Sequence, residues 1–137
     1  DFSEKRLTIE NIHVAVGISI FYLTVLRLIY KAFNPTPKLN NSIFPGQKII
    51  AKLNHVFLYI SILMITISGA LKKLYNGEEL DMFFFNLEIQ DNFDLAEIFY
   101  EIHILGNYTL IALISLHIFA VLIHKILFKE NLLKRIL

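Results

Sequence analysis

Three long apolar stretches, at residues 9–33, 49–74 and 96–128, constrain this 137-residue chain more than any other feature. Each exceeds the roughly 20 residues that a helix needs to cross a hydrocarbon core of ~30 Å. Hydrocarbon offers no hydrogen-bond partners, so backbone at that depth must pair with itself, and a helix does this within one segment. Composition agrees. Hydrophobic residues make up 55 % of the chain and charged ones 18 %, with twelve Phe, which is more apolar than an ordinary soluble domain. The expectation is an all-α integral membrane protein: one domain over 1–137, built on three transmembrane helices with an acidic loop at 75–95.

Charge patterning orients the spans. No acidic residue occurs between Glu10 and Glu78, whereas Arg27, Lys31, Lys38, Lys48 and Lys52 gather around the first connection. The second connection is the reverse, with Glu78, Glu79, Asp81, Glu88, Asp91, Asp94, Glu97 and Glu101 and no basic residue among them. Lys125, Lys129, Lys134 and Arg135 follow the last span against a single Glu130. The positive-inside rule then puts the first connection and the C-terminus on the cytoplasmic or matrix side, and the acidic loop and N-terminus outside. The host is expected to be a bacterial or mitochondrial inner membrane. The first span begins outside with neither a signal peptide nor an initiator Met, so a further helix ahead of Asp1 is expected. A net charge of +1 gives no ground for a nucleic-acid partner.

The connections are readable. Asn34-Pro35-Thr36-Pro37 ends the first helix, because proline cannot continue it, and Pro45-Gly46 marks a turn into the second. Asn76-Gly77 ends the second helix. The run Met82-Phe83-Phe84-Phe85 is too short to span and is expected to lie at the membrane interface.

Chemistry enters through histidine. His103 and His117 share the third stretch, and fourteen helical residues advance roughly 21 Å while returning to within about 40° of the starting direction. One helix therefore offers an imidazole near each side of the membrane. Paired axial imidazoles suit a haem that carries electrons; the plainer reading is two unrelated histidines in a buried helix. With no cysteine in the chain, thiolate ligation, thioether attachment, disulfides and iron–sulfur clusters are excluded, and any haem is held non-covalently.

The other histidines extend this pattern. His13 lies near the outer end of the first helix, at the depth of His103, so the two can serve as axial ligands of one haem. His55 begins the second helix on the inner side, and His124 lies seven residues after His117 on nearly the same face. Ionisable groups within a bilayer are functional candidates by default, the alternative being a hydrogen bond across helices or snorkelling to the interface. Gly17 and Gly106 lie about one turn beyond His13 and His103, giving clearance for a porphyrin or for ordinary helix packing. Arg27, fourteen residues after His13, is a candidate partner for a haem propionate or for lipid phosphates.

These residues resemble the prokaryotic cytochrome b-561 family of four-helix di-haem membrane proteins, and through it the cytochrome b subunits of hydrogenases and formate dehydrogenases. The resemblance covers nearly the whole chain. It rests on Ile12-His13-Val14 with Gly17 and Leu26-Arg27-Leu28, then Leu53-Asn54-His55 through Tyr59 to Gly69, and His103 through Gly106-Asn107-Tyr108 and Leu116-His117 to His124. The tail from Phe128-Lys129 to Lys134-Arg135 agrees as well.

The resemblance implies that the three spans correspond to helices 2–4 of a four-helix bundle and that haem b, one or two, is bound. It implies an outer haem on His13 and His103. It implies an inner haem on His117 and a first-helix histidine that this sequence lacks. That second ligand is expected from a helix outside the sequence, from a partner subunit, or from His55. His55 and His124 match family histidines expected to contact propionates, quinone or protons.

The implied role is electron transfer between an outer-side donor and ubiquinone or another membrane quinone, alone or as a respiratory subunit in membrane lipid. Two alternatives stand: a superoxide:ubiquinone oxidoreductase, and a structural subunit with one haem or none. The acidic outer loop would repel an anion such as superoxide and suits docking of a basic donor.

Overall fold

The computed structural model of the chain describes residues 2–34 and 46–127. The turn expected at 35–37, Pro45, and the basic tail from 128 onward lie outside the described residues. Three long helices form the body: α1 over Phe2–Phe33, α2 over Gln47–Tyr75 and α3 over Phe93–Leu127. All three are long and apolar enough to cross a membrane. At ~1.5 Å per residue they exceed the ~30 Å core, so their charged ends project beyond it. α1 starts earlier than the apolar stretch, because Ser3, Glu4, Lys5 and Arg6 continue the helix as an exposed extension.

α2 is the central element, packed most closely on α3 and also on α1. Few side chains are buried among the described residues, and several are small or polar: Ala96, Thr24, Ser61 and Ser68 join Ile18, Ile65 and Leu74. Most of the large apolar side chains of the three helices remain exposed, and this is the surface that lipid covers. Two α2 hydroxyls bond within their own helix. Ser68 Oγ donates to the Ile65 carbonyl at 3.1 Å, and Thr66 Oγ1 to that of Ile62 at 2.9 Å.

Local chemistry sets the turn between α2 and α3. Gly77 takes a φ of +75°, a conformation disfavoured for a residue with Cβ. It closes α2 with the Gly77 N–H donating to Leu74 O at 3.0 Å and the Glu78 N–H to Lys73 O at 3.3 Å. Asn92 caps α3, its Oδ1 accepting from the Leu95 N–H at 3.1 Å, and its own N–H donates to Tyr75 O at 2.9 Å. The ends of α2 and α3 are thereby tied together.

Between them the chain forms a small hairpin, β1 (Leu80–Asp81) antiparallel to β2 (Asn86–Leu87), with Leu80 opposite Leu87. Met82 to Phe85 form its tip rather than an isolated interfacial run. The tip is held by the Tyr22 hydroxyl donating to Met82 O at 3.1 Å, and by Asp81 Oδ1 accepting from the Phe83 N–H at 2.7 Å. Phe84 is 84 % exposed at the apex. Leu80, 1 % exposed, pins the hairpin against Ile18 and Leu74. Leu80→Ala is expected to weaken this docking by about 2 to 5 kcal/mol, as for other buried leucines. Amide hydrogen exchange at residues 80–87 should accelerate while the three helices keep their protection; unchanged exchange there would contradict the pinning role.

Candidate functional site

The helices bring four of the histidines together in two pairs at two levels. His13 of α1 and His103 of α3 meet toward one end, with ring centroids 6.1 Å apart and planes 78° to each other. His55 of α2 and His117 of α3 meet toward the other, with centroids 5.2 Å apart. The two α3 histidines lie on one continuous helix, as their fourteen-residue spacing predicts. The His124 side chain lies outside the described side chains.

The first pair, called outer after the orientation that the charge pattern predicts, lines a cavity of about 510 Å³ bounded by all three helices. Its walls are largely apolar, with Val14, Ile18, Ile20, Ile62, Ile65 and Leu110 among them, and Gly17 and Gly69 open the α1 and α2 faces. A Cβ added at Gly17 would meet nothing within 4 Å, so this glycine borders open space on the cavity side. Gly69 has a different role. A Cβ there would come within 2.9 Å of His103 Cε1 and Nδ1. The missing side chain is what allows the imidazole to approach α2 so closely.

In that seat His103 Nδ1 is 2.9 Å from the carbonyl oxygen of Ile65. A carbonyl only accepts, so Nδ1 carries the proton and Nε2 is left as the lone-pair nitrogen. Anchoring one ring nitrogen on a carbonyl is how proteins orient a metal-binding histidine and raise its basicity. Asn107 Nδ2 donates to His103 O at 2.9 Å and also lines the cavity. Two imidazoles clamping one metal from opposite sides, at about 2 Å per bond, have ring centres roughly 6 to 7 Å apart. The outer pair has that separation. A largely apolar chamber, glycine clearance and two imidazoles at this separation together fit a b-type haem between His13 and His103.

The inner pair differs. Its rings are closer than an opposed clamp requires. His117 Nδ1 is 2.9 Å from Asn54 Nδ2, while Asn54 Oδ1 is buried without a partner. As drawn, the amide donates to Nδ1 and the Nε2 of His117 carries the proton. A half-turn of the amide makes its oxygen the acceptor from Nδ1–H and frees Nε2 for a metal. His55 and His117 line a second cavity of about 420 Å³ with Thr24, Arg27 and Tyr59. Arg27 Nε donates to the Tyr59 hydroxyl at 2.9 Å, and the Lys31 ammonium lies 5.1 Å from the centre of the same ring.

Arg27 therefore sits with the inner cluster and does not line the chamber of His13 and His103. Gly106 faces helix packing: a Cβ there would meet Ile65 Cγ1 at 2.8 Å and Met64 Cε at 3.0 Å. Sequence reasoning gave no role to Gly69, Asn54, Tyr59, Lys72 or Lys73. For Gly69 the available signal was a glycine in the middle of an apolar span, a position where glycine weakens a helix unless something approaches closely.

The two glycines make a paired prediction. Gly69→Val should displace the His103 ring and abolish haem binding with its low-spin absorbance. Gly17→Leu should fill the chamber and displace haem while leaving helix content and apoprotein stability within about 0.5 kcal/mol, as for substitutions that meet no neighbour. Haem retained at full occupancy in both variants would refute this reading of the chamber.

Comparison with known proteins agrees with the geometry. A sequence model of the family described as prokaryotic cytochrome b561 matches residues 1–137. Cytochrome b561 homolog 2 of Escherichia coli (strain K12) is 26 % identical over 130 residues, covering 93 % of this chain and 69 % of that protein. A probable superoxide oxidase, CybB, of Yersinia pestis is 28 % identical over 130 residues, covering 93 % of this chain and 74 % of that protein. With a family match along the whole chain, three membrane-crossing helices and paired histidines between them, this chain belongs to the prokaryotic cytochrome b561 family of haem b-binding membrane electron-transfer proteins.

Proposed function

We propose that the chain carries electrons between a donor on the outer side and a membrane quinone, through a haem b held by His13 and His103. The observation that carries this reading is the His103 seat: a glycine-cleared ring whose Nδ1–H is fixed on the Ile65 carbonyl, 6.1 Å from its His13 counterpart. Haem bound there supplies reversible one-electron chemistry at its iron. The chain's own contribution is ligation, orientation and a largely apolar chamber. Ile65 O holds the ring of His103.

A second haem on His117 is part of the proposal, its other ligand coming from a histidine outside this sequence or from His55. The Arg27–Tyr59 pair and His55 then offer hydrogen-bond donors to an inner propionate or to a quinone head group. The membrane orientation follows the charge pattern, with the acidic hairpin region outside and available to a basic donor.

A second reading, oxidation of superoxide coupled to quinone reduction, is favoured by one observation: the similarity to the probable superoxide oxidase of Yersinia pestis. Superoxide-dependent quinone reduction by purified protein separates it from simple electron carriage. A third reading, a structural subunit, requires protein from its native membrane to contain no haem.

His13→Ala and His103→Ala should each lower haem content by one equivalent per chain and remove the outer low-spin absorbance. His55→Ala should leave the outer haem intact; an inner haem lost as well would identify His55 as its ligand. An unchanged spectrum in His103→Ala would overturn the central assignment.

A further inference from the structure

We propose that Lys72 and Lys73, in the last turn of α2, form a carboxylate-binding rim that fixes the orientation of the porphyrin between His13 and His103. This rests on the reading that haem b occupies that chamber.

Both lysines line the chamber. They lie three and four residues after Gly69, which puts them about 4.5 to 6 Å along the helix axis from the seat of His103, toward the outer end. The opposite end of the chamber is lined by Ile20, Ile62 and Leu110. The space is therefore polarised, with cations at the outer mouth and hydrocarbon at the inner end. Haem b has the matching asymmetry, since its two propionates leave one edge of an otherwise apolar disc.

One cation at the mouth has no paired acid. Lys73 Nζ pairs with Glu78 Oε2 at 2.6 Å, its side chain 14 % exposed. Lys72 is half-buried and has no acidic partner within 4 Å among the described residues. Glu10 is the one carboxylate among the described lining residues, and it makes no ion pair with Lys72. An ammonium beside an apolar chamber is costly without a counter-charge, and a bound dicarboxylate supplies it. Lysine has three donors, so Lys73 can keep Glu78 and still donate to a propionate. Arg27, which the sequence offered for this task, lines the other cavity and is engaged by Tyr59.

The test uses haem-loaded protein. In the double variant Lys72→Gln/Lys73→Gln, haem transfer to excess apomyoglobin should be roughly tenfold faster or more, as expected for lost charge-assisted hydrogen bonds. The outer haem's midpoint potential should fall, because nearby positive charge favours the reduced iron. The low-spin spectrum should persist, since both imidazoles remain. Lys72→Arg/Lys73→Arg should restore both quantities.

Protein reconstituted with haem dimethyl ester, which lacks the carboxylates, should show the fast transfer already and be insensitive to the Lys→Gln changes. Equal transfer rates and potentials in wild type and Lys→Gln would overturn the rim, as would an undiminished Lys→Gln effect with the ester. A low-spin outer haem that survives His13→Ala would instead overturn the chamber assignment on which the rim depends.

Discussion

One hydrogen bond carries the arrangement: the Nδ1–H of His103 on the Ile65 carbonyl, made across the gap left by Gly69. An imidazole within a membrane needs a partner for each ring nitrogen, and α2 supplies one from its own backbone. The bond fixes the tautomer, the ring direction and the free nitrogen together. It also makes α2, which donates no ligand to the outer pair, the element that determines whether that pair can work. The Ile65 carbonyl additionally accepts from Ser68, and Gly106 brings α3 close to Ile65 itself. Packing of the two helices and orientation of the ligand are therefore one feature.

The two histidine levels are built differently, and the contrast is chemical. The outer rings stand 6.1 Å apart across an open apolar chamber, with cations at its mouth. The inner rings stand 5.2 Å apart in a smaller and more polar cavity, with Asn54 on His117 and Arg27 on Tyr59. The outer level holds two imidazoles at a separation that leaves room for a metal between them. The inner level offers hydrogen-bond donors and a single α3 histidine whose tautomer depends on which way one amide turns. Electron carriage across a membrane needs sites at both levels, and fourteen residues of α3 set the distance between them.

Much of this was legible in the sequence because it depends on period and length. Apolar runs of membrane-crossing length gave the three helices, and the histidine spacing gave the two levels. Asn76-Gly77 gave the end of α2 through the left-handed φ that glycine accepts. What was not legible depends on contacts between elements. The hairpin has two-residue strands, too short for any alternation to register, and it is positioned by Leu80 and Tyr22 from outside itself. Gly106 and Gly69 look alike in sequence, yet one clears a neighbouring helix and the other a ring. Arg27 shares a helix face with His13, but the fourteen residues that align them also separate them by about 21 Å, which assigns Arg27 to the inner cavity.

The central claim is that His13 and His103 together hold one iron. Low-temperature electron paramagnetic resonance of the oxidised protein, purified from its native membrane, tests it most directly. The account predicts a low-spin ferric component from six-coordinate haem that turns high-spin or disappears when either histidine is replaced by alanine, while the component of any haem on His117 remains. A signal that persists unchanged in both single variants, or protein with no ferric haem at all, would contradict it.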